Sequence, residues 1–226
     1  MNQQLALAIQ LNDEATLEDF HWGDNLLLQQ HILEQSNKQL LYIWGVTGCG
    51  KSHLLQACCQ AFQPSDAIYL PLNTLKEFGP EILDGIEGHS LICIDNIDAI
   101  AGLADWEEAL FHLYNRVRDQ ENHKLIVSAN TPPANMQIRL ADLKSRFSWG
   151  LVIQLNELHD AHKIDTLQRH AKKRGFELPT SVAQFLINRC ARNMHDLHQL
   201  LNRLDESSLA AQRKITIPFV KQALNL

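Results

Sequence analysis

The chain has 226 residues, 45% of them apolar, which is enough for one large or two small domains with a real core. A net charge of −6 argues against a general electrostatic hold on nucleic acid, and the densest basic run is only Lys172, Lys173 and Arg174. Five cysteines (Cys49, Cys58, Cys59, Cys93 and Cys190) are odd in number and lack zinc-type spacing, so buried free thiols in a reducing cytoplasm are expected. No basic n-region opens the chain, acids follow at Asp13 and Glu14, and nothing approaches a membrane-spanning run.

Residues 1–11 read as a tail, with glutamines mixed among Leu5, Leu7, Ile9 and Leu11 in alternation. A connector over 16–23 follows, and Asp24 is placed to cap a helix running to Gln35. The apolar run Leu40-Leu41-Tyr42-Ile43-Trp44 then leads into Gly45-Val46-Thr47-Gly48-Cys49-Gly50-Lys51-Ser52. This fits G-x-x-x-x-G-K-[ST] in the required setting, a buried strand before and a helix after, with Leu54, Leu55 and Cys58 at helical spacing. Glycines let the backbone wrap a di- or triphosphate with its N–H groups inward, and the helix N-terminus adds partial positive charge. Lys51 is the residue for the outer phosphates and Ser52 for Mg²⁺.

Further strands are predicted at Ala67-Ile68-Tyr69-Leu70, Leu91-Ile92-Cys93-Ile94, Leu125-Ile126-Val127 and Leu151-Val152-Ile153, with a loose helix broken at Gly79-Pro80 and an amphipathic one striped by Trp106, Leu110, Leu113 and Val117. Apolar strands alternating with helices predict a five-stranded parallel sheet with helices on both faces. From Glu157 the pattern is helical only, giving a small all-α domain. Its first helix ends at Gly175, a second is capped by Thr180, a third is striped by Met194, Leu197, Leu201 and Leu204, and a fourth opens at Thr216 and Pro218.

Asp95 ends the third strand, where open α/β sheets place their ligands, and with Ser52 would complete a Mg²⁺ shell. Its neighbour Asn96 stands where many P-loop ATPases carry an acid; an amide positions water but cannot take its proton, so weak hydrolysis of the chain's own nucleotide is expected. Asn130 ends strand four within reach of a γ-phosphate or its attacking water. Arg146, between sheet and helical domain and flanked by aromatics, reads as either a solvated arginine or an arginine finger acting on a neighbour's nucleotide. The pairs His159/His162 and His195/His198 lack a third metal ligand.

The phosphate loop, Ile92-Cys93-Ile94-Asp95-Asn96, Ser128-Ala129-Asn130 and the stretch 143–150 together resemble the AAA+ domain of the replication initiator DnaA. Tyr114-Asn115-Arg116, Arg174-Gly175-Phe176-Glu177-Leu178-Pro179, Ala211-Gln212-Arg213-Lys214 and Ile217-Pro218-Phe219-Val220-Lys221 extend a resemblance to the shorter Hda-like proteins over essentially the whole chain. The resemblance implies an AAA+ domain over 13–157, a lid over 158–226, and a tail over 1–12 that binds the sliding clamp of DNA polymerase III through Gln4, Leu5 and Leu7, with Ala8 in the final motif position. It implies a regulator that binds ADP or ATP with Mg²⁺, docks on the DNA-loaded clamp and stimulates hydrolysis of DnaA-bound ATP, touching DNA only through the clamp. On this view Gly45 to Ser52 is Walker A, Asp95 belongs to Walker B, Asn130 is sensor 1, Phe20 and Asn25 flank the adenine, and Arg146 is a trans finger. The sensor 2 position carries Asn193-Met194-His195 instead of arginine, leaving His195 or Arg192 for the phosphate. Self-association stays open. An autonomous AAA+ ATPase or helicase loader, which wants a carboxylate at position 96, and a small P-loop kinase are the competing readings.

Overall fold

A computed structural model describes residues 15–33, 40–62, 66–211 and 213–225. Two compact units emerge. One is built on Lys51–Leu155 with the described residues up to Phe20 and between Leu27 and Gly45; the other is built on Asn156–Leu226 with His21–Leu26 and Val46–Gly50.

The first unit holds five strands: β1 (Leu40–Trp44), β2 (Ala67–Pro71), β3 (Leu91–Asp95), β4 (Lys124–Ala129) and β5 (Leu151–Gln154). All pair in parallel, in the order β2-β3-β4-β1-β5. Residues two apart share a face, and that rule sorts the side chains. Tyr42, Ile92, Ile94, Leu125 and Val127 join one core with Leu110, Leu113 and Val117 of α4 (Ala104–Arg118) and Phe147 of α5 (Ala141–Trp149). Tyr69, Cys93, Asp95 and Ser128 occupy the intervening positions, and α2 (Lys51–Ala61) packs on β2, β3 and β4. Each fully buried Leu or Ile contributes about 1.5–3 kcal/mol. Helices therefore cover both faces, and the apolar runs are apolar because they are buried on two sides.

An N-terminal helix, α1 (Leu26–Leu33), precedes β1. Asp24 does not cap it: its carboxylate instead lies 3.1 Å from His159 Nε2. The helix predicted around Gly79-Pro80 resolves into the short α3 (Leu72–Leu75) and three 3₁₀ turns. Gly79 and Gly85, at φ +88° and +79°, adopt conformations that helix residues cannot.

The second unit contains α6 (Asp160–Lys173), α7 (Thr180–Arg189), α8 (Met194–Ala211) and α9 (Ile217–Leu224). Leu167, Leu186, Leu197, Leu201, Leu204 and Val220 form its core. Thr216 caps α9 by accepting from the Phe219 backbone N–H. Thr180 makes no such cap; it is the first residue of α7, and its hydroxyl accepts from Gln168 Nε2 at 3.2 Å. Among the described residues no helix is long and apolar enough to cross a membrane.

Candidate functional site: a phosphate loop and the tips of three strands

The loop after β1 has the backbone its glycines predict. Gly48 and Gly50 sit at φ +82° and +107°, and the Cys49 N–H donates to the Val46 carbonyl at 3.3 Å. A Cβ on Gly48 would lie 2.7 Å from Asn193 Cβ, so no side chain fits there. Cys49 is buried, Thr47 and Val46 are exposed, and Lys51 begins α2.

Lys51 is 5% exposed. Its ammonium donates to the Gly45 carbonyl at 2.7 Å and to Asn130 Oδ1 at 3.1 Å. The parallel register sets Trp44 beside Ala129, so the residues that follow β1 and β4 meet at the same height. The Asn130 N–H donates to Asp98 Oδ2 at 2.8 Å, which commits Asp98 to shaping the tip of β4.

Asp95, 1% exposed, is held by neutral donors alone. Ser128 Oγ donates to Oδ1, while the Tyr69 hydroxyl at 2.8 Å and Asn96 Nδ2 at 3.2 Å donate to Oδ2. Burial and the neighbouring Asp95 charge push the Tyr69 phenol upward, so it stays a proton donor. A buried carboxylate without a cationic partner among the described residues is costly to desolvate. A divalent cation is the natural counter-charge, and Ser52 and Asp95 would hold it, where it would neutralise phosphate oxygens.

Asn96 sits in the left-handed region at φ 59°, which asparagine tolerates. Its N–H donates to Ser128 Oγ at 3.0 Å and its amide turns back to Asp95. A carboxylate in that pose would repel Asp95.

Phe20 is buried, with its ring 5.8 Å from that of His53. The Asn25 amide is spent on backbone: Nδ2 donates to the Trp22 and Asn156 carbonyls, and Oδ1 accepts from the Asn156 N–H. His195 is exposed in the first turn of α8, its Nε2 2.9 Å from Gln199 Nε2, and Arg192 is exposed as well. Arg146, half-buried on α5, has its guanidinium over the rings of Tyr114 and Trp149. Gln4, Leu5 and Leu7 lie outside the described residues.

Sequence reasoning missed the roles of Tyr69, Ser128, Tyr114 and Glu107. The last is 1% exposed on α4, and its carboxylate accepts from the N–H groups of Gly102 (2.6 Å), Arg139 (3.0 Å) and Leu140 (2.8 Å), fixing the segment that opens α5. An acid inside an otherwise apolar helical stripe was the only available signal.

A phosphate loop after β1, with an amide following the neighbouring β4 and an acid ending β3 one strand further on, defines a P-loop protein of the AAA+ class. Domain III of the Thermotoga maritima replication initiation protein DnaA has the same fold, with a TM-score of 0.80 at 21% identity over 96% of this chain and 98% of that one. AMPPCP-bound DnaA from Aquifex aeolicus gives 0.69 at 21% identity, over 85% and 65%. A RuvB mutant from Thermotoga maritima gives 0.69 at 16%, over 93% and 71%. Residues 73–154 match the bacterial DnaA ATPase domain as a family, and residues 160–224 match the Hda lid domain. Over these two stretches the chain is similar to DnaA-related AAA+ replication proteins, with a lid similar to that of Hda.

Proposed function

We propose that this protein is a nucleotide-bound regulator of chromosome replication initiation in the cytoplasm. Together with the DNA-loaded sliding clamp it stimulates hydrolysis of DnaA-bound ATP, supplying Arg146 to DnaA's site in trans. The observation that carries this reading is the state of Arg146: a guanidinium on a half-exposed helix, stacked on aromatics, with no acidic partner among the described residues. An arginine serving only the fold would be expected in an ion pair such as that of Arg116 with Glu87.

The chain's own nucleotide, ADP or ATP, belongs at Gly45–Ser52. Lys51 orients the outer phosphates, Asn130 holds Lys51 from the tip of β4, and Ser52 with Asp95 provides the Mg²⁺ shell. Phe20 and Asn25 shape the adenine side, and His195 or Arg192 serves the phosphate from the lid. The AAA+ domain spans 13–157 and the lid 158–226, with residues 1–12 as the clamp-binding tail. Gln4, Leu5 and Leu7 would dock there as an extended segment with its leucines in an apolar groove.

The alternative, an autonomous ATPase or helicase loader, is disfavoured by Asn96. Its amide donates to Asp95 and cannot accept a proton from water. Mixing ATP-loaded DnaA with this protein and clamp on DNA should accelerate hydrolysis with wild type and not with Arg146→Ala. Equal acceleration by both would overturn the assignment.

A further inference from the structure

Arg146 and Trp149 are three residues apart on α5 and so share a helical face. Arg146 Cζ lies over the Trp149 ring, 5.1 Å from its centroid, and over the Tyr114 ring of α4 at 5.8 Å. Both distances fall inside the roughly 6 Å over which a ring face attracts a guanidinium. The two rings differ in setting. Tyr114 is partly buried against the main core, whereas Trp149 is 72% exposed. A tryptophan left largely in water at a helix end contributes little to the core, and its one described ring contact is with Arg146.

We propose that Trp149 and Tyr114 are positioning residues that hold the Arg146 guanidinium extended, charged and unpaired for delivery to the phosphates of a second AAA+ subunit. This rests on the trans-acting reading given above. An acidic partner would do the job badly, because it occupies the N–H fork and its ion pair must break before phosphate is met. Aromatic faces hold the guanidinium by its π-surface and leave its in-plane N–H donors for phosphate oxygens. They also remove rotamer freedom from the arginine stem before docking, so less is lost when the complex forms. Trp149 thus acts through Arg146 and touches no nucleotide of its own.

The test uses the full-length protein with ATP-loaded DnaA and clamp on DNA, measuring both the maximal rate of hydrolysis and the half-saturating concentration of this protein. Trp149→Ala is expected to lower the maximal rate by about five- to thirtyfold, the range of one cation–π contact as it becomes desolvated. Trp149→Phe, which keeps a ring face, should stay within about threefold of wild type. In an Arg146→Ala background, Trp149→Ala should add no further loss. By NMR, the Arg146 side-chain protons should be shifted upfield by the rings in wild type and in Trp149→Phe, and clearly less so in Trp149→Ala, where only the Tyr114 ring remains. Wild-type stimulation by Trp149→Ala while Arg146→Ala abolishes it would overturn the cradle and leave the trans reading standing. An equal loss from Trp149→Ala in the Arg146→Ala background would also overturn it, since the ring would then act without the arginine. Full stimulation by Arg146→Ala would remove both the trans reading and the cradle.

Discussion

At Asp95 a single hydroxyl makes a measurable difference. The buried carboxylate is held by Ser128, Tyr69 and Asn96, and hydrogen bonds to a charged group are worth about 1.5–3 kcal/mol each. Tyr69→Phe keeps the ring and removes one donor. It should lower the unfolding midpoint of the nucleotide-free protein by several degrees, at about 2–4 °C per kcal/mol; an unchanged midpoint would show that Asp95 does not depend on that donor. His21 acts through its protonation. Burial, then the Arg169 and His162 charges, hold it below its ordinary value of 6.5, outweighing Asp165. The unfolded state therefore takes up the proton first. The stability carried by neutral His21 is complete above pH 6.5 and is lost as pH falls through 6.5 toward the lowered folded value. Denaturant midpoints followed from pH 7.5 to 5 should fall less steeply for His21→Phe than for wild type; parallel curves would contradict the shift. Neither effect is readable from sequence, because Tyr69 reaches Asp95 only through the register of β2 on β3, and His21 meets Asp165 only across 144 positions of chain.

Among the elements, the strands were the most legible, because burial on both faces leaves an apolar run with nothing to interrupt it. The five runs lie inside the five observed strands, each of which extends at most three residues further. The helix ends were less so. Asp24 and Thr180 have the chemistry of caps, yet Asp24 pairs with His159 and Thr180 accepts from Gln168. A capping side chain has several possible partners, and tertiary contacts choose among them. Glu107 belongs to the same class of surprise. Its carboxylate joins the start of α4 to the start of α5 through three backbone N–H groups, and α5 carries Arg146. Glu107→Ala would leave those donors unpaired in a partly buried place and should cost about 1–3 kcal/mol. Glu107→Gln, which keeps one acceptor, should cost less. Thermal unfolding of the two variants orders them, and the reverse order would show that Glu107 does not act as an acceptor latch.

Over the whole molecule, the sequence carried the parts of the site that form a motif. Gly45 to Ser52, Asp95 and Asn130 are recognisable by spacing, and Lys51 meets Asn130 because β1 and β4 are neighbours. Of the aromatic pair around Arg146, Trp149 was visible as a flanking aromatic, whereas Tyr114 was opaque, since no motif links it on α4 to residue 146 on α5. The tail assignment rests on Gln4, Leu5 and Leu7. Changing Leu5 and Leu7 to Ala should abolish capture of the clamp and leave nucleotide affinity unchanged, while undiminished capture would remove the tail from the account. The most direct measurement is single-turnover hydrolysis of ATP preloaded on DnaA, with clamp on DNA and saturating wild-type protein or Arg146→Ala. An arginine finger in trans is worth about 10³–10⁵ in rate. The variant should therefore lose nearly all of the stimulation while binding clamp and nucleotide as wild type does. Hydrolysis at the wild-type rate with Arg146→Ala would contradict the account.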